Sequence, residues 1–164
     1  MNANTRIRVL RADYAEPKHA ADIIYLLNQY ALHPMGGGRE LDAKVKKDLV
    51  AQLAVLPHAL SVLAYLDNDP LGLANCFLGF STFACKPLLN IHDIFVLESF
   101  RGRSVGQHIL NTLEEIAREL GCCNITLEVL RENFAAQGAY RKFGFAPYEL
   151  DPQAGPAQFW QKSL

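Results

Sequence analysis

Basic and apolar side chains alternate over residues 6–11, with Arg6 and Arg8 set against Ile7 and Val9, the period-two pattern of a strand with one wet face. After Pro17, which suits a first helical turn, Ala20, Ile23, Ile24, Leu27 and Ala31 recur at helical spacing until His33-Pro34 stops the run. Gly36-Gly37-Gly38 then reads as a mobile turn, and Leu41, Val45, Leu49, Leu53 and Leu56 trace a second helical stripe ending before Pro57. The apolar runs 60–66 and 71–80 are separated by Asp67-Asn68-Asp69-Pro70-Leu71-Gly72, which predicts an antiparallel hairpin. A further strand spans residues 89–97, rich in β-branched and aromatic side chains and interrupted by His92-Asp93, whose polar groups need partners.

Beyond a loop at residues 101–104, Val105, Ile109, Leu113, Ile116 and Leu120 step along one helical face, and Gly121 fits the C-terminal cap. Residues 124–130 read as a strand, so strand, helix and strand span about 40 residues, the length of a parallel crossover. Asn133 caps a short helix over residues 134–143 that Gly144 ends, and residues 145–150 and 158–161 read as late strands. The pattern predicts a mixed α/β (α+β) sheet in one domain, residues 1–164, with no internal repeat or linker.

Composition narrows the function. A chain of 164 residues suits one core, and 50% hydrophobic with 20% charged residues is ordinary globular usage. Sixteen Lys and Arg against seventeen Asp and Glu give a net charge of -1, which supplies no general field for nucleic acid or an anionic membrane, so any anion site is local. The polar start, Met1 to Thr5, has no secretory-signal pattern and no run approaches the ~18 apolar residues of a membrane span, so the expected location is cytoplasmic. Cys76, Cys85, Cys122 and Cys123 show no CxxC spacing and read as buried free thiols; the five histidines form no HxxxH or HExxH pair, so no catalytic metal is expected.

The richest chemistry lies in Arg101-Gly102-Arg103-Ser104-Val105-Gly106-Gln107, which joins a strand to a helix start. Unpaired N–H groups, the helix dipole and two arginines there suit a pyrophosphate. Gly102 to Gly106 also satisfies the GxSxG pattern of a serine hydrolase, but His108 is the only histidine after Ser104 and lies one helical turn away, so the usual triad order fails.

In this setting the loop resembles the acetyl-CoA loop of the GNAT superfamily of N-acetyltransferases, a Gln/Arg-x-x-Gly-x-Gly/Ala pattern in which Arg101 and Gly106 match and Ser104 stands at the first glycine. Asn133-Phe134-Ala135-Ala136-Gln137-Gly138-Ala139-Tyr140-Arg141-Lys142-Phe143-Gly144-Phe145 resembles the family's Asn entry, helix tyrosine and Gly-Phe exit. The resemblance implies a mostly antiparallel sheet with helices on both faces and direct acetyl transfer from acetyl-CoA to a primary amine. It implies cofactor binding by Ile94, Phe95, Val96, Arg101, Gly102, Arg103, Ser104, Val105, Gly106, Gln107 and Asn133, with Tyr140 as proton donor. Ile91-His92-Asp93-Ile94-Phe95-Val96 resembles polyamine acetyltransferases, which carry a glutamate where His92 stands; His92 is favoured as base over Asp93, with Glu98 and Glu128 as substitutes. Regular strand geometry sends His92 and Asp93 to opposite faces, so only one is expected to meet the acceptor. The loop Tyr30-Ala31-Leu32-His33-Pro34-Met35-Gly36-Gly37-Gly38 is the expected acceptor-binding segment, and a homodimer is implied. A non-catalytic acyl-CoA sensor is the alternative function. Packing and capping roles stand beside the catalytic ones: a core ring for Tyr140, a helix cap for Asn133.

Overall fold

The computed structural model describes residues 6–153 and 155–164. Five strands form one sheet in the order β1-β2-β3-β4-β5: Ile7–Arg11, Ala59–Leu66, Asp69–Ser81, Lys86–Val96 and Ile125–Leu127. The first four are antiparallel neighbours and β5 lies parallel to β4, so the hairpin and the parallel crossover read from the sequence are both present. The helices are α1 (Pro17–Leu32), α2 (Ala43–Ala54), α3 (Val105–Glu119) and α4 (Phe134–Phe143). The chain divides after Leu127 into two compact units.

In the first unit the sheet carries helices on both faces. Ile23 and Leu26 of α1 pack with Leu63, Tyr65 and Leu73, all buried, and Val50 of α2 closes over the same cluster. The Tyr65 hydroxyl donates to Asp22 Oδ2 at 2.7 Å and Lys18 pairs with the same oxygen at 2.8 Å, so the one carboxylate buried in α1 has two partners. Adjacent strand residues point to opposite faces, and Gly72, beside Leu73, faces α3. A Cβ on Gly72 would stand 2.9 Å from Phe95 O and 3.0 Å from Ile109 Cδ1, so hydrogen as a side chain lets β3, β4 and α3 approach. Val105, Ile109, Leu110 and Leu113 of α3 are buried.

The turn between β2 and β3 is two residues, Asp67 and Asn68, with Asp67 left-handed at φ 55°, so β3 begins at Asp69 rather than at Leu71. Asparagine and aspartate tolerate that conformation best among residues with a side chain. The glycines after α1 answer a geometric demand: a Cβ at Gly36 would lie 1.9 Å from Tyr30 O, where the chain closes onto the helix end.

The second unit, residues 128–164, holds α4. Among the described residues no strand follows β5, so the strands expected at 145–150 and 158–161 are corrected to irregular chain, and residues 128–130 fall outside β5. Pro147 has no N–H for a ladder, and Tyr148, Leu150, Phe159 and Trp160 leave their side chains exposed, so neither run buries the face a strand needs. All four cysteines are free, but the expected burial holds for Cys76 alone: Cys85 and Cys123 are exposed and Cys122 is partly so.

Candidate active site

The site grows out of an irregularity in β4. Asn75 pairs with Asp93 and Cys76 with Ile91, so one residue, His92, is extra on β4: a β-bulge. Its consequence overturns the expectation of opposite faces. Asn75 Nδ2 donates to Asp93 Oδ2 at 3.0 Å, and the Phe77 ring meets the His92 ring edge-on at 5.5 Å. Asn75 and Phe77 are two apart on β3 and share a face, so His92 and Asp93 both lie on the α1 face.

The bulge also reverses which backbone groups face outward. Leu89 N–H bonds Asn124 O on the β5 side, whereas Leu97 N–H bonds Leu71 O on the β3 side. Alternation from Leu97 turns the amides of Phe95 and Asp93 toward β3 and those of Ile94 and Val96 toward the other edge. Pairing with β5 ends at Ile91, so Ile94 and Val96 present backbone groups where β5 no longer pairs with them.

On the α1 face, Tyr30 stacks on Phe95 at 5.5 Å. Burial, and then the negative field of Asp93, push the Tyr30 hydroxyl above its ordinary value, so it stays protonated. His33 Nδ1 accepts from Met35 N–H at 3.2 Å, which leaves the proton of a neutral ring on Nε2. Arg101 Nη1 sits 3.3 Å from that Nε2, so its guanidinium is held elsewhere: Nε donates to Val96 O at 3.3 Å, and the group lies 5.9 Å from the Phe95 ring centre. Arg101 is therefore anchored on β4, beside the end of α1.

The next residues make a turn with two left-handed members, Gly102 at φ 75° and Ser104 at φ 63°. Arg103 between them stacks its guanidinium 5.4 Å from the Phe100 ring. Ser104 is the N-cap of α3 and makes no side-chain cap, so the leading amides of Val105, Gly106 and Gln107 have no side-chain acceptor from it. His108 Nδ1–H donates to Ser104 O at 2.8 Å and fixes the first turn. A Cβ on Gly106 would lie 3.9 Å from Val96 Cγ2, so the start of α3 rests against the strand that carries Asp93. Amides at a helix start with two arginines nearby fit an anionic ligand. Thus β4 and the loop bring His92 to Val96 and Arg101 to Gln107 together in one unit.

Asn133 and Tyr140 belong to the second unit, on α4. Asn133 Oδ1 accepts from Ala136 N–H at 3.2 Å, the cap its sequence predicts, and Gly144 ends the helix at φ 109°. The Tyr140 ring meets Phe145 at 5.9 Å, and Phe143 stacks on Phe145 at 6.0 Å. Sequence reasoning missed Tyr14, Ser61 and Asn75, which line up beside Asp93; the signal was a Ser and an Asn inside two otherwise apolar strands. Among the described residues no group of His, Cys, Asp and Glu could hold a metal, and no helix is long and apolar enough to cross a membrane.

This arrangement has relatives. The family model of the acetyltransferase (GNAT) family matches residues 22–145. Streptothricin acetyltransferase of Streptomyces lavendulae is 37% identical over 75 residues, 46% of this chain and 40% of that protein, so the match spans less than half of the relative. A structure of AAC(6')-Iy in complex with the bisubstrate analogue CoA-S-monomethyl-acetylneamine superposes with a TM-score of 0.76 at 18% identity, covering 97% of this chain and 99% of the other. The aminoglycoside acetyltransferase meta-AAC0020, from an uncultured soil metagenomic sample, gives 0.76 at 16% identity over 99% of both chains. With the model spanning the strand bulge, the arginine loop and α4, the chain belongs to the acetyltransferase (GNAT) family.

Proposed function

We propose that this protein is an N-acetyltransferase that moves an acetyl group directly from acetyl-CoA to a primary amine. The observation that carries the reading is the bulge at His92, which puts an imidazole and a carboxylate on one face and turns two strand amides outward. Acetyl-CoA supplies a thioester-activated acetyl group. The amides of Val105, Gly106 and Gln107, with Arg103, hold its pyrophosphate; the amides of Ile94 and Val96 donate to the thioester end.

An amine of pKa ~10.4 is neutral in only about one molecule in 2,500 at pH 7, a handicap of about 4.6 kcal/mol. Asp93 attracts and orients the ammonium, and His92 accepts the proton directly or through water. As the amine nitrogen bonds to the acetyl carbon, a backbone N–H of Ile94 or Val96 stabilises the charge on oxygen. The carbon–sulfur bond then breaks, Tyr140 gives its phenolic proton to the leaving sulfur, and the proton that the nitrogen sheds on becoming an amide returns through water to the phenolate. The acceptor class stays at primary amine; names of relatives include streptothricin and aminoglycoside acetyltransferases, so aminoglycosides belong in the first panel.

The test is CoA thiol release from acetyl-CoA with a panel of spermidine, kanamycin, free amino acids and a lysine peptide. Turnover with one of them, reduced about a hundredfold or more in Tyr140→Phe, is expected. Binding of acetyl-CoA without turnover of any amine would favour the sensor reading, and an obligatory acetyl-cysteine would overturn direct transfer. Sedimentation velocity tests the homodimer that the resemblance implies.

A further inference from the structure

Ser61, Asn75 and Asp93 are register partners on β2, β3 and β4, one row across the sheet on the α1 face. Their side chains are hydrogen-bonded along that row. Ser61 Oγ donates to Asn75 Oδ1 at 2.7 Å, and Asn75 Nδ2 donates to Asp93 Oδ2 at 3.0 Å. Tyr14 stands 3.0 Å from Ser61 Oγ. A serine hydroxyl has one proton, and Ser61 spends it on Asn75, so Tyr14 is the donor to Ser61. The O–H groups of Tyr14 and Ser61 and one N–H of Asn75 therefore point the same way, toward the carboxylate.

Ser61 is 0% exposed and Asn75 4% exposed, between apolar neighbours such as Val62 and Ala74. Burying polar side chains there costs free energy that an apolar pair of similar volume would avoid. Aligned donors polarise one another, so a chain ending on a carboxylate strengthens the final bond. The rotamer of Asp93 is then held from two strands away.

We infer that Tyr14, Ser61 and Asn75 are positioning residues that act through Asp93, holding its carboxylate as the anionic anchor for the acceptor ammonium. The inference deepens the transferase reading and rests on it for the word acceptor; the hydrogen-bond chain itself stands apart from any activity. None of the three touches the reacting atoms.

Two measurements separate these. In ligand-free protein, the side-chain amide protons of Asn75 are followed by ¹H–¹⁵N spectroscopy. Asp93→Asn is expected to move the Nδ2 proton upfield, and Tyr14→Phe, which keeps the ring, to move the same proton in the same direction by less. An Asn75 resonance that ignores Tyr14→Phe in a folded variant overturns the chain. In turnover of the fastest amine of the panel, Ser61→Ala is expected to lower kcat about tenfold with KM for acetyl-CoA unchanged. In an Asp93→Asn background the same substitution costs nothing further. Equal losses in both backgrounds would make Ser61 merely structural and overturn the inference. Tyr14→Phe, whose ring is only half-buried, repeats the cycle if Ser61→Ala fails to fold. A spectroscopic coupling seen in a protein that acetylates no amine supports the chain and overturns the transferase reading instead.

Discussion

Ser104 carries a side chain in a conformation that costs an L-residue about 1 to 2 kcal/mol, and it does so at the N-cap of α3, where its hydroxyl makes no cap. The structure thus explains why the resembled pattern has a glycine there: the turn needs φ near 63°. Ser104→Gly is expected to raise stability by about 1 kcal/mol in urea unfolding, because the strain it removes exceeds the backbone entropy glycine adds. Ser104→Val, β-branched, should lose at least as much. Should Ser104→Gly instead weaken both stability and acetyl-CoA affinity, the hydroxyl would be acting on phosphate. The candidate loop was legible in the sequence because glycine, arginine and a helix start lie within seven consecutive residues. The row Tyr14, Ser61, Asn75 was not, because its bonded pairs are 47 and 14 positions apart and meet only through the tertiary fold.

Among the elements, β4 depends on a residue count. His92 is exposed and, among the described residues, its ring meets Phe77 edge-on; it is the one residue of β4 at the bulge with no register partner on β3. His92→Ala keeps the extra residue; stability should change by less than about 0.5 kcal/mol, as for other exposed positions, while turnover falls about a hundredfold with loss of the base. Deleting His92 removes the bulge and leaves Ile91 and Asp93 as regular partners of Cys76 and Asn75, so Asp93 and Phe95 stay on the α1 face and the variant should keep a cooperative melt. A deletion that lost the cooperative melt would mean that the local twist of the bulge is itself needed for the sheet to pack. Gly72→Ala tests the neighbouring packing: its methyl would press on Phe95 O and Ile109, and a loss of about 1 to 3 kcal/mol is expected. Helices were legible because α3 keeps a buried stripe for four turns and ends at glycine. The bulge was visible only as polar residues breaking an apolar run, since no local pattern distinguishes two consecutive polar side chains on one face from a pair on opposite faces. The late strands failed for a related reason: residues 145–150 have strand-like composition, but composition does not say whether a partner edge is within reach.

At the scale of the whole molecule, the near-neutral charge leaves local burial to decide how stability responds to pH. The groups whose protonation the fold perturbs most are acids favoured in their neutral form. Burial, then the negative field of Asp93, push the Cys76 thiol up to about 12, and burial raises Tyr14 and Tyr30 as well; Tyr65 is raised by burial and then by its bond to Asp22. In each case the folded state holds its proton at a pH where the unfolded chain has released it. The contribution is therefore fully present below the unfolded value and is lost as pH rises. For Cys76 the window runs from an ordinary thiol value of 9.0 to about 12, and within it stability falls by about 1.4 kcal/mol per pH unit. Urea unfolding from pH 8 to 11 should show a decline that steepens above pH 9, the tyrosines adding to it above about 10. Cys76→Ala removes the thiol and should make that decline shallower by about 1.4 kcal/mol per pH unit. Parallel curves for parent and variant would mean that Cys76 reaches water in the native state, and with it the α3 face of the sheet directly behind Asn75 and Asp93.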